Sequence, residues 1–281
     1  MGKGDNSGQF SSLETLHRLW SFFRDQAILL EKVQSRTWEK GSSVLLTVSA
    51  LLHAATDTNK SIALLAREEK MRDVFVLART SYETMLNACF ILAEGEVVAD
   101  KAYRHVLQKS WRDLDRELII NETAVYIRHR SQVDPSDNGD LQEAIDEFTS
   151  KRGREITSWT AESVKERIEV VDRKYGGDTV MGLQFGLLAI YRHASDIAHG
   201  TLFGSMFAVG LTQPEGPPKS PMELVSYQRS NLCMLLTMLG GVVDSLLQVL
   251  GHELGQTDFV EESKRRMAKL QDEPWLDRNT H

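Results

Sequence analysis

The chain is poor in cysteine. Its 281 residues include only Cys89 and Cys233, each inside an apolar stretch and without a neighbour at the spacing of metal ligands. This scarcity argues against a disulfide framework and against a cysteine-based zinc site. We expect two reduced, buried thiols, as is usual in a cytoplasmic protein.

Proline is also scarce, with six residues, and stretches that alternate between apolar and polar residues are rare. Proline interrupts helices, and alternation marks half-buried strands, so both shortages favour long helices. The hydrophobic content of 41% is enough for a substantial core. The sequence therefore predicts an all-α fold, a multi-helix bundle.

Only one stretch, residues 233–250, is apolar over the length of a membrane span. It carries Asp244 near its middle, and a carboxylate inside a bilayer is costly. We expect a buried core helix in which another helix satisfies Asp244. Residues 1–10 are polar and glycine-rich, without the apolar core of a signal peptide, and are predicted to be a disordered tail. No membrane association is expected, and the predicted location is the cytoplasm.

An excess of basic residues is missing as well. Lysine and arginine number 33 against 40 acidic residues, giving a formal net charge of −7. This balance argues against a protein that coats nucleic acid through broad electrostatic attraction. Any contact with RNA should be local.

The helical period accounts for nearly the whole chain. The predicted helices lie at 13–33, 42–56, 72–93, 98–128, two within 140–175, 178–199, 220–250 and 258–270. We expect a bundle domain at 11–252, with a peripheral helical insertion at 131–177 and a loop or flap at 201–220. A charged helix and tail should follow at 253–281. Ser220 to Glu223 has the pattern of a capping box with proline at the first helical position, which marks the start of the longest helix.

Two of these helices should be central. Residues 72–93 and 178–199 are apolar nearly all round, so we expect them to be surrounded by other helices and to pack against each other. The 98–128 helix has only a narrow apolar stripe and should cover the core from outside. That stripe contains Tyr103, Leu107, Trp111, Leu114, Leu118 and Val125.

A polar group lies at the end of the second central helix. Helical spacing places four side chains on one edge: Arg192, Ser195, Asp196 and His199. Phe185 and Leu188 precede them on the same edge, which should therefore point into the protein before it becomes polar. A polar group that continues a buried stripe needs partners or a function.

The first central helix carries Arg79 and Glu83, four residues apart and therefore on one face. Both central helices thus carry charges of both signs, and we expect these charges to meet across the helix interface. Two interpretations remain open. The group is a functional site, or it is an ion-pair network that fixes how the helices pack.

These residues resemble a known pattern. Arg79-x-x-x-Glu83 followed by Tyr191-x-x-x-Ser195-x-x-x-His199-Gly200 resembles an uncharacterised bacterial family, domain of unknown function 5677, over roughly residues 45–250. Arg192 and His199, with six residues between them, are also similar to the arginine and histidine signature of the HEPN superfamily. That superfamily consists of all-helical bundles and includes metal-independent ribonucleases of toxin–antitoxin and phage-defence systems.

The HEPN resemblance implies a reaction without metal or cofactor. Arg192 would bind the phosphate and His199 would carry a proton, supported by Arg79, Glu83, Ser195, Asp196 and Tyr191. The implied partners are RNA or a nucleotide, and a partner protein or antitoxin. HEPN-like sites often form where two copies meet, so we also expect a homodimer.

Two alternatives belong to other classes. Glu83, Asp196 and His199 could form a carboxylate–histidine metal site, but the chain lacks the paired Glu-x-x-His motifs of helical di-metal proteins, and no metal is assigned. The second alternative is a non-catalytic module that binds another protein, in which the charged group only holds helices together.

Overall fold

A computed structural model describes residues 11–39, 41–113, 115–128 and 134–271. The predicted tail at 1–10 and the last residues, 272–281, lie outside the described part. The all-α prediction is confirmed, because helices dominate and a short hairpin is the only sheet among the described residues. The helices are α1 (Leu13–Glu39), α2 (Ser43–Arg67), α3 (Met71–Glu94), α4 (Glu96–Asp113), α5 (Gly139–Glu147), α6 (Val164–Tyr175), α7 (Gly177–Gly186), α8 (Arg192–Ala198), α9 (Leu202–Ala208), α10 (Pro221–Leu254) and α11 (Asp258–Gln271).

The chain divides into two compact units. The first comprises the described residues up to Ala93 and from Val164 onward, and the second is Glu94–Ser163. The second unit begins earlier and ends earlier than the predicted insertion at 131–177. The reason is that α4 packs with α5 in the second unit, whereas α6 packs on α7 in the first.

Helix α10 forms the centre of the first unit. Small residues allow close crossings here, since a Cβ on Gly182 of α7 would lie 2.0 Å from the carbonyl oxygen of Gly241. A Cβ on Gly240 would lie 2.2 Å from the ring of Phe22 on α1. Ser220 caps α10 by accepting a hydrogen bond from the Glu223 amide at 3.2 Å, as the sequence predicts.

Asp244 is half-buried, and another helix satisfies its carboxylate, as predicted. Ser263 of α11 donates to one carboxylate oxygen at 2.5 Å, and Gln248 donates to the other at 2.7 Å. Among the described residues, α10 alone is long and apolar enough to cross a membrane, and 67% of its most apolar window is buried inside the molecule. Such burial is typical of a core helix in a soluble protein.

The second unit contains the largest error of sequence-based prediction. The helix expected at 98–128 ends at Asp113, and the chain continues as a hairpin of β1 (Asp115–Ile120) and β2 (Thr123–Arg128). Asn121 and Glu122 have φ of 49° and 65°, which are the backbone angles of a hairpin turn. The β-branched and aromatic residues beside this turn favour strand over helix.

The predicted apolar stripe of this segment is largely exposed where the structure describes it. Tyr103, Leu118 and Val125 are 58%, 60% and 48% exposed, Leu107 and Trp111 are half-buried, and Leu114 lies outside the described residues. The buried residues on α4 are Ala99 and Gln108. The inward edge of α4 is polar instead. Three contacts link it to α5 and the residues that follow: Arg104 to Glu147 at 2.6 Å, Arg112 to Thr149 at 2.6 Å, and Lys109 to Glu155 at 3.2 Å.

Candidate active site

Arg192, Ser195, Asp196 and His199 lie at the end of the second predicted central helix, in α8 and its cap. Arg192 and His199 are exposed, whereas Ser195 and Asp196 are half-buried. The His199 amide still bonds to the Ser195 carbonyl at 3.1 Å, and Gly200 then ends the helix with φ of 63°. This stop agrees with the sequence-based expectation.

The edge that leads to this polar group faces outward, so the prediction that it points inward is wrong. Phe185 is 49% exposed and Leu188 is 63% exposed. The apolar residues that bury this helix lie on the opposite edge, at Val180, Leu183, Ile190, Ala194 and Ile197. The polar side chains therefore extend an exposed apolar edge, and burial alone does not force them to have partners.

A π-helical turn, Leu187–Tyr191, separates α7 from α8 and directly precedes Arg192. Such turns hold an extra residue and are frequent at functional sites. Tyr82 of α3 packs beside this turn, and its hydroxyl donates a hydrogen bond to the Leu183 carbonyl at 3.0 Å. Its ring lies so close to Gly186 that a Cβ on that residue would be only 2.5 Å from the ring. Helical periodicity in the sequence gave no signal of this turn.

Arg79 contacts the second predicted central helix at Tyr191, and Glu83 contacts Arg79. The Arg79 guanidinium lies 4.9 Å from the centre of the Tyr191 ring, a cation–π contact. Its Nη2 is 3.6 Å from Glu83 Oε1, while its Nη1 is buried and has no hydrogen-bond acceptor among the described residues. The structure thus brings together three of the predicted supporting residues: Arg79, Glu83 and Tyr191.

The other members of the predicted group do not join this cluster. In the described part of the chain, no hydrogen bond or ion pair engages the side chains of Arg192, Asp196 or His199, so they are not linked to Arg79 and Glu83 by direct contacts. Seven positions along a helix correspond to about 10 Å of axial rise, so Arg192 and His199 are also well apart from each other.

The segment predicted as a loop or flap folds back onto α8 as α9. Phe207 anchors it, because its ring stacks on His193 at 5.5 Å and meets the rings of Phe75 at 5.4 Å and Tyr227 at 6.0 Å edge-on. Gly204 allows the close approach, since a Cβ there would lie 2.6 Å from the Asp196 carbonyl oxygen. His193 has no role in the predicted site. Its position directly after Arg192 is the feature of the sequence that could have drawn attention to it.

No group of three or more His, Cys, Asp or Glu side chains that could hold a metal ion occurs among the described residues. The two cysteines are buried, and burial raises the pKa of the Cys89 thiol and raises that of the Cys233 thiol to about 12. Neither thiol is a reactive nucleophile near neutral pH.

Comparison with known proteins gives the family. Residues 46–214 match the model of a family of unknown function, DUF5677, which covers both α3 and the α7–α8 segment. The chain belongs to this family. No curated protein and no solved structure matches it significantly.

Proposed function

We propose that this protein is a HEPN-like, metal-independent endoribonuclease, acting in the cytoplasm in bacterial defence or stress. Arg192 binds a phosphate of the RNA, and His199 carries a proton. The observation that supports this proposal is that both side chains are exposed and have no partner within the described ranges. An exposed arginine without a carboxylate partner is available for an external anion.

The chemistry requires no cofactor. The ribose 2′-oxygen loses its proton and attacks the adjacent phosphorus, and the bond from phosphorus to the 5′-oxygen breaks. That oxygen takes up a proton, which leaves a 2′,3′-cyclic phosphate and a 5′-hydroxyl. His199 exchanges one of these protons, and Arg192 binds the phosphate oxygens on which negative charge develops.

We further propose that the active form is a homodimer. Arg192 and His199 of one chain are separated by about 10 Å of helix rise, so one copy aligns them poorly on a single phosphate. The exposed edge formed by Met181, Phe185 and Leu188 leads directly to Arg192. A two-fold contact along this edge would bury its apolar side chains and bring two arginine–histidine pairs together.

The same exposed edge supports a second candidate, a non-catalytic module that binds another protein, such as an antitoxin. Contiguous apolar residues on a surface often mark protein interfaces. In this case Arg192 and His199 would form part of the polar rim of the interface. Nucleotide binding without cleavage would use the same arginine.

Growth of a bacterial host separates these candidates. Induced expression of the wild-type protein should slow growth, and His199→Ala should restore it at equal protein level. His53→Ala is the matched control, because His53 is an exposed histidine on α2. Absence of toxicity from the wild type, or equal toxicity from His199→Ala, would favour the interaction module.

A further inference from the structure

A groove opens between the first turns of α1 and the last turns of α11, separate from the proposed active site. The two helices are antiparallel, and several side-chain contacts along their length connect them. Arg36 pairs with Asp258 at 2.9 Å, and Gln26 donates to Ser263 at 2.9 Å. Beyond Asp25, whose carbonyl accepts from Arg266, a cavity of about 680 Å³ lies between them. This volume is typical of a small-molecule site.

Three side chains form the apolar part of the groove: Leu13, Phe22 and Leu270. Phe22 forms one wall, and its ring is held against Gly240 of α10. Leu270 is buried on the α11 side, and Leu13 stands 42% exposed at the α1 end. Leu13 and the half-buried Phe22 offer an apolar surface that solvent reaches, and the buried Leu270 closes its α11 side.

At the rim of the groove, the acidic side chains have ion-pair partners, whereas some basic side chains do not. Both carboxylates that line the groove are engaged, since Glu14 pairs with Arg18 at 2.7 Å and Asp25 pairs with Arg24 at 2.8 Å. Lys269 and His17 also line the groove, are exposed, and have no partner within the described ranges. The charge left unbalanced at the rim is therefore positive.

We propose that this groove binds a small amphiphilic anion, with an apolar body against Leu13, Phe22 and Leu270 and a carboxylate-type head at Lys269. The apolar side chains would bind the apolar part of the ligand, and Lys269, which has no acidic partner within the described ranges, would attract a negatively charged head group. This site is independent of RNA cleavage and of Arg192 and His199.

The test uses dodecanoate and dodecanol, which share an apolar chain and differ in the head group, with binding to the full-length protein measured by calorimetry. Dodecanoate should bind below millimolar concentration and more tightly than dodecanol. Lys269→Met should weaken the binding of dodecanoate by about three- to fivefold and leave the binding of dodecanol unchanged. Leu13→Gln should weaken both ligands.

Lys264→Met is the matched control, because Lys264 is exposed on the same helix and does not line the groove. Equal dodecanoate affinity for wild type and Lys269→Met would overturn the proposal, as would no binding of dodecanoate. Sedimentation showing that Leu13→Gln converts an oligomer into a monomer would also overturn it, because a second copy would then occupy the groove.

Discussion

At the scale of single residues, Gln108 is a fully buried polar side chain of the second unit. Among the described residues, neither its amide nitrogen nor its amide oxygen has a hydrogen-bond partner. A buried polar group without a partner costs about 1–3 kcal/mol. The leucine side chain is apolar and close to glutamine in size.

Gln108→Leu should therefore raise the free energy of unfolding of this unit by about 1 kcal/mol, because it removes the unpaired amide without leaving a cavity. Hydrogen exchange of the α4 amides measures the change. Gln142→Leu is the control, since Gln142 is partly exposed and donates to Asp146 at 3.0 Å. Faster exchange in Gln108→Leu would show that the amide stabilises the fold.

At the scale of elements, the crossing of α7 over α10 depends on glycine. Gly182→Ala should lower the free energy of unfolding by about 3 kcal/mol, because the added Cβ would lie 2.0 Å from backbone oxygen and the helices would have to separate. Thermal unfolding measures the loss. Gly177→Ala in the same helix is the control, since its Cβ would meet only Asp172 Oδ1 at 3.7 Å. Equal stability of the two variants would contradict this account of the crossing.

Most helices could be predicted from the sequence because their caps and periods are local signals. Ser42 caps α2 by accepting from the Leu45 amide at 3.2 Å, and Ser220 caps α10 in the same way. The hairpin was missed because its turn uses Asn121 and Glu122 rather than the stronger signal Asn-Gly. The prediction that the apolar stripe of this segment faces the core failed because periodicity shows that residues share an edge of a helix, but not which edge faces the core.

The candidate site shows the same limit. Spacing alone placed Arg79 and Glu83 on one face, and Arg79 contacts Tyr191 of the second predicted central helix. The predicted meeting with Arg192, Asp196 and His199 has no hydrogen bond or ion pair among the described residues. The π turn at Leu187–Tyr191 packs against Tyr82, a long-range contact that a local sequence pattern does not show. The exposure of Phe185 and Leu188 was not predicted for the same reason: it depends on long-range packing, which a local sequence pattern does not show.

At the scale of the whole molecule, we expect the exposed edge formed by Met181, Phe185 and Leu188, on α7 and the π turn, to join two copies. Leu188→Glu should raise the dimer dissociation constant at least about tenfold, because it replaces a contacting apolar side chain by a charge. Sedimentation over a broad concentration range measures this effect. Leu64→Glu is the control, since Leu64 is a leucine of similar exposure, 66%, on α2. A wild-type protein that stays monomeric would contradict the dimer.

The central claim is that Arg192 and His199 cleave RNA without metal. The most direct measurement incubates purified protein with mixed RNA in the presence of a chelator and analyses the product ends, for wild type, Arg192→Ala and His199→Ala. Wild type should cleave the RNA and leave 2′,3′-cyclic phosphate ends. Both variants should lose orders of magnitude in rate while their melting temperatures change by only a few degrees, because both side chains are exposed and contribute little to the fold. Intact RNA with a correctly folded wild-type dimer would contradict the account.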